Sequence, residues 1–160
     1  MSEYRPEEGS FNTGKIRIAV IAARWNATVT DALLDGAVRA LARHGVSGAA
    51  VETFRVPGAF ELPLASQQAA RTGRFDAIIS LGCVIRGDTP HFDYVCAETT
   101  RGIGHVVLTE NLPVGFGLLT TDNLQQALDR CGDNAENKGE EAALTILELL
   151  TVLKNMQGAE

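Results

Sequence analysis

The sequence predicts an α/β fold, a three-layer sandwich in which a four-stranded parallel sheet is flanked by helices on both faces. Three observations predict it. Short β-rich apolar runs alternate with longer stretches of helical periodicity, the pattern of successive βαβ units. The run DAIISLGCVI at residues 76–85 is nearly continuous in apolar residues, as a strand covered on both faces should be. The chain has 160 residues, 45% apolar and 21% charged, enough for one ordinary core without staples. No internal repeat, low-complexity segment or linker is visible. Residues 11–160 therefore read as a single domain behind a polar, flexible tail at residues 1–10.

The elements follow in order. Residues 15–23, KIRIAVIAA, form the first strand. Residues 28–44 have helical spacing through Val29, Leu33, Ala37 and Leu41, with Thr28 and Asp31 as a capping-box-like start and Gly45 as the stop. Residues 49–56 form the second strand, and residues 59–72 the second helix, ending near Gly73. The third strand, 76–85, leads into a helix at 90–106. Residues 113–121, PVGFGLLTT, make a fourth strand weakened by two glycines. A short helix at 123–131 precedes a long one at 137–156, striped by Leu144, Leu147, Leu150, Thr151 and Leu153.

Composition removes several function classes. A formal net charge of −6 gives no global support for a nucleic-acid or acidic-membrane partner. Cys83, Cys96 and Cys131 are odd in number and widely spaced, which argues against a disulfide framework or a zinc site and suits a reducing cytoplasm. No apolar run reaches the ~18 residues of a membrane span. The N-terminal MSEYRPEEGS lacks the apolar core of a signal peptide.

In parallel sheets, ligands bind beyond the carboxyl ends of the strands. The residues there are Arg24-Trp25-Asn26, Val56 to Glu61, Arg86 to His91, and Thr120-Thr121-Asp122. In the third group Thr89 can cap the next helix and Pro90 suits its first position. Free N–H groups and the positive dipole end favour an anion there, and Gly87 lets its backbone come close. The same features also describe an ordinary capped turn. Gly82 and Gly87 have P-loop spacing, but Asp88 stands where the lysine must be, so a nucleoside triphosphatase is rejected. Gly115 and Gly117 lie inside a strand and make no dinucleotide fingerprint. His91, in the first turn of that helix, can take and return a proton. A lone histidine is more often a surface group, and only the adjoining loop favours the functional reading. His44 and His105, near helix ends, read as structural or solvated. Trp25, Phe60 and Phe116 could form a slot for a flat heterocycle or simply pack. Glu61 could hold polyol hydroxyls or favour the helix dipole. Arg130 and Lys138 flank the polar stretch CGDNAEN, and an arginine folded back onto the phosphate loop would complete it.

Taken together, these residues resemble the lumazine synthase family of riboflavin biosynthesis. The likeness runs from about Phe11 to near the C-terminus. It rests on Arg24-Trp25-Asn26, on Val56-Pro57-Gly58-Ala59-Phe60-Glu61, and on Gly82 to Gly87 with Thr89 and His91-Phe92-Asp93-Tyr94-Val95. Gly117-Leu118-Leu119-Thr120-Thr121, Gln126-Ala127, Arg130 and Asn137-Lys138-Gly139 complete it. The resemblance implies a flavodoxin-like sheet and a transferase. That enzyme condenses 5-amino-6-(D-ribitylamino)uracil with 3,4-dihydroxy-2-butanone 4-phosphate, giving 6,7-dimethyl-8-ribityllumazine, phosphate and water. It implies no cofactor and no metal.

The resemblance also implies roles. Trp25, Ala59, Phe60, Glu61, Cys83, Val84 and Ile85 would hold the pyrimidine and its ribityl chain, with Phe116 reaching it from an adjacent subunit. Asp88, Thr89 and Arg130 would receive the butanone phosphate, with Lys138 a weaker candidate. His91 would be the catalytic proton carrier. Asp88 and Cys83 depart from the family's usual residues, and Cys83 is given a lining role only. A homopentamer, or a shell of twelve pentamers, is implied, with active sites between neighbours and the segment Gly9 to Gly14 extending along a neighbour's sheet. Riboflavin synthase is a candidate protein partner. Two other readings use the same residues. A non-catalytic binder of flavins or pterin-like rings leaves His91 and Arg130 without a role, and a shell protein can coexist with catalysis.

Overall fold

The computed structural model describes residues 9–11 and 13–158. The expected tail therefore lies largely outside the described residues. The chain runs β1 (Ile18–Ala23), α1 (Ala27–Arg43), β2 (Val51–Val56), α2 (Leu62–Arg71), β3 (Ala77–Ile85), α3 (His91–Thr109), β4 (Val114–Thr121), α4 (Leu124–Leu128) and α5 (Lys138–Met156). All pairings are parallel and the strand order is β2-β1-β3-β4. This is the predicted α/β sandwich with its four-stranded sheet.

The two central strands explain their own sequences. Every residue of β1 is buried, and so are the first seven of β3. Alternate residues feed two cores. Ile18, Val20, Ile79 and Leu81 meet Leu33, Leu41, Ala143 and Ile146 of α1 and α5 on one face. Ala19, Ile21 and Ile78 meet Leu62 and Ile103 of α2 and α3 on the other. Each fully buried aliphatic side chain there contributes about 1.5–3 kcal/mol. On the α2 face the Ser66 and Ser80 hydroxyls share a buried hydrogen bond of 2.8 Å, so neither is an unpaired polar group. The edge strand β2 is half exposed and carries charges, with Arg55 paired to Asp31 and Glu52 to Arg17 and Arg74.

Several boundaries differ from expectation for local reasons. The strand expected at 49–56 starts only at Val51, because Gly48–Ala50 form a 3-10 turn. The helix expected at 59–72 opens as a 3-10 turn at Ala59–Glu61, and α2 begins at Leu62 with Pro63 in its first turn. Helix α3 continues to Thr109, and α4 is confined to Leu124–Leu128. Thr28 does not cap α1: the helix is entered through Asn26 in the left-handed region at φ 59°. Asparagine tolerates that conformation better than most residues. Thr89 does not cap α3 either, since Pro90 occupies the cap position and no side chain bonds there. Phe11 packs edge-on against His44 of its own chain, ring centres 4.9 Å apart.

Helix α5 is held unusually close to its neighbours. Its buried stripe is Gly139, Ala142, Ala143, Ile146 and Leu147 with Leu144, smaller residues than the leucine stripe suggested. Asn137, 3% exposed, organises its start. The side-chain oxygen accepts the Gly139 and Glu140 N–H groups at 2.9 and 3.1 Å. The side-chain amide donates to the Ala32, Cys131 and Gly132 carbonyls. Asn137→Ala removes a helix cap and strands buried carbonyls, so we expect a loss of about 2–3 kcal/mol. Urea unfolding of the two proteins measures it.

Candidate active site

From β1 the chain moves outward to β2, and from β3 it moves the other way to β4. The crevice at the carboxyl ends of β1 and β3 is thus the topological switch point, where open α/β sheets bind ligands. A cleft of about 470 Å³ lies there. It is lined by Trp25 and Asn26 after β1, by Ala59, Phe60 and Glu61, by Cys83, Val84 and Ile85 of β3, and by His91, Tyr94, Val95 and Glu98 of α3.

Short-range ties hold the walls. Trp25 donates its backbone N–H to the Pro57 carbonyl at 3.1 Å, and its ring lies on the Gly58 backbone. A Cβ at Gly58 would sit 2.6 Å from Trp25 Cε3, so only glycine permits that placement. Glu61 Oε2 accepts the Gly58 N–H at 2.8 Å. Asn26 Nδ2 donates to the Cys83 carbonyl at 2.8 Å, bridging the ends of β1 and β3. Trp25, Phe60 and Tyr94 remain 67%, 61% and 70% exposed. Three open rings beside a largely apolar cleft suit a planar heterocycle rather than core packing. Cys83 packs into the α1 and α5 core and also lines the cleft. Burial pushes its thiol up to about 11, so it is no nucleophile at neutral pH.

The cleft unites Trp25, Ala59, Phe60, Glu61, Cys83, Val84, Ile85 and His91 from the sequence-derived set. It does not include Asp88, Thr89, Phe116, Arg130 or Lys138. Asp88 and Thr89 are exposed in the loop just before His91. The uncapped start of α3 adjoins that loop and keeps its first N–H groups clear of side-chain acceptors. Phe116 lies on the outer strand β4 opposite Ser80, 47% exposed. Arg130 does not fold back onto the loop, because its guanidinium donates to the Gln126 carbonyl at 2.9 Å. Lys138 pairs with Glu141, and its N–H bonds the Arg130 carbonyl.

One consequence is electrostatic. Among the described residues, the cleft wall contains two carboxylates, Glu61 and Glu98, and no lysine or arginine. A phosphate arriving here lacks a cationic partner within the lining.

Sequence reasoning did not single out Tyr94, Val95 and Glu98 as site residues. The signal was present, since they follow His91 at +3, +4 and +7 and share one helix face. Among the described residues no cluster of three or more His, Cys, Asp or Glu could hold a metal ion. Nor is any helix of the described residues long and apolar enough to cross a membrane.

Comparison with known proteins shows the family. The family profile of 6,7-dimethyl-8-ribityllumazine synthase matches residues 15–154. A 6,7-dimethyl-8-ribityllumazine synthase of Nitratidesulfovibrio vulgaris is 48% identical over 156 residues, 98% of this chain and 100% of that protein. One from Desulfovibrio desulfuricans is 47% identical over the same shares.

Proposed function

The chain belongs to the 6,7-dimethyl-8-ribityllumazine synthase family, and on that premise we propose how its residues divide the work. It is a transferase of riboflavin biosynthesis. It joins 5-amino-6-(D-ribitylamino)uracil to 3,4-dihydroxy-2-butanone 4-phosphate, with loss of phosphate and water. The observation that carries the assignment is the aromatic-walled cleft at the switch point with His91 on its rim.

The pyrimidine lies between Trp25 and Phe60 and reads the backbone at Cys83, Val84 and Ile85. Ala59 closes the slot and Glu61 receives ribityl hydroxyls. The butanone phosphate rests on the loop at Asp88 and Thr89. The pyrimidine's amino group attacks the carbonyl, and an imine forms as the carbonyl oxygen leaves as water. Phosphate leaves, and ring closure expels a second water. His91 accepts and returns the protons that these steps move. Both reactants are intrinsically reactive, so holding them in register supplies much of the acceleration.

The phosphate's cationic partner is Arg130, with Lys138 beside it, from a second copy of the chain, and Phe116 reaches the pyrimidine in the same way. This reading is supported by the absence of lysine and arginine among the described residues that line the cleft. It makes the active unit a homo-oligomer, a pentamer or twelve pentamers, which light scattering distinguishes. Free thiols at Cys83, Cys96 and Cys131 favour a cytoplasmic setting.

Two measurements test the assignment. Mixing the protein with both substrates should accelerate lumazine absorbance and phosphate release together, and no gain over the spontaneous condensation would defeat it. Arg130→Ala should raise KM for the phosphorylated substrate about 10- to 100-fold, the worth of one charged hydrogen-bonding partner. Equal losses for both substrates would remove Arg130 from the phosphate.

A further inference from the structure

Arg86 stands at the start of the phosphate loop, yet it does not line the cleft. Its Nε donates to Asp122 Oδ1 at 3.0 Å, after β4. One terminal amine donates to Asp93 Oδ1 at 3.2 Å, in the first turn of α3. The guanidinium carbon lies 4.2 Å from the centre of the Phe92 ring, which is 9% exposed. Its backbone N–H bonds the Thr121 carbonyl at 2.8 Å. Asp122 is itself fixed, because its N–H donates to Gln126 Oε1 at 2.9 Å. The side chain thus reaches from residue 86 to residue 93 and brackets the loop together with His91.

We infer that Arg86 is a positioning residue, a clasp that sets the shape of the loop at Gly87, Asp88 and Thr89 without touching substrate. Its positive charge is already engaged by two carboxylates, and its guanidinium carbon sits over the Phe92 ring. Only a guanidinium can fork between Asp93 and Asp122 while sitting over the Phe92 ring, since an ammonium is a single point charge. Exposed ion pairs of this kind add little to stability, so the clasp acts on loop geometry rather than on folding.

This inference rests on the reading that the loop receives the butanone phosphate. Three variants of the assembled enzyme test it through the KM of each substrate. Arg86→Lys should raise KM for the butanone phosphate about tenfold and leave that of the pyrimidine within about twofold, because the fork is lost but the charge is kept. Asp122→Asn gives the decisive sign. If Arg86 clasps the loop, KM for the phosphorylated substrate rises. If Arg86 binds phosphate directly, releasing it from Asp122 lowers that KM, and the inference fails. A drop in thermal midpoint with both KM values unchanged makes Arg86 merely structural and also overturns it. Thr89→Ala separates the two levels. If Thr89→Ala raises that KM while Asp122→Asn does not, the clasp alone is wrong. If neither variant changes it, the loop reading falls as well.

Discussion

His91→Ala is expected to lower turnover by about 10²- to 10⁴-fold while leaving measurable catalysis above the spontaneous reaction. The size follows from the division of labour in the cleft. In the proposed reading Trp25, Phe60 and β3, which line the cleft, still orient the pyrimidine after the change, so the contribution of proximity should survive. What disappears is the one imidazole on the rim, so protons must then move through water. His91 lies in the first turn of α3 and is exposed, so its removal should not disturb the core. KM values should therefore shift less than kcat. Steady-state assays of lumazine formation, with the spontaneous rate subtracted, measure this, and unchanged turnover would free His91 of its role.

Gly139→Ala should cost about 3 kcal/mol or more, a large share of the roughly 5–15 kcal/mol that holds a domain folded. The added Cβ would lie 1.9 Å from the Leu33 carbonyl oxygen of α1. That atom belongs to the backbone of a packed helix and cannot swing aside, so α5 must move bodily away from α1. Asn137, which fixes the first turn of α5, opposes that movement. Gly104→Ala is the contrast. A Cβ there meets nothing within 4 Å, and the position is helical, so it should gain up to about 1 kcal/mol. Urea midpoints for the two variants should move in opposite directions.

Most of the architecture was legible because it depends on periodicity. The buried runs of β1 and β3 and the helical spacing through Leu33, Ala37 and Leu41 were readable directly. Boundaries failed where tertiary contacts override propensity. Asn26 turns left-handed and spends its side chain on the Cys83 carbonyl, so it, not Thr28, begins α1. Of the two glycines that seemed to weaken β4, Gly115 lets α5 approach, since a Cβ there would lie 2.9 Å from the Ala142 carbonyl oxygen, and Gly117 makes room for the Leu81 side chain of β3. The cleft residues proposed for the pyrimidine were readable as neighbours because they follow strand ends. The phosphate half was harder. Order along the chain cannot show that Arg130 stays with Gln126 rather than reaching the loop.

That separation makes the shared site the central claim, and subunit mixing tests it most directly. His91→Ala and Arg130→Ala chains, each impaired alone, are co-expressed and their mixing confirmed by native mass spectrometry. Mixed assemblies should exceed the activity of either parent, because some clefts then join an intact His91 to an intact Arg130 from the neighbour. Activity no higher than the average of the two parents, in assemblies shown to be mixed, would place both residues in one chain's site and contradict the account.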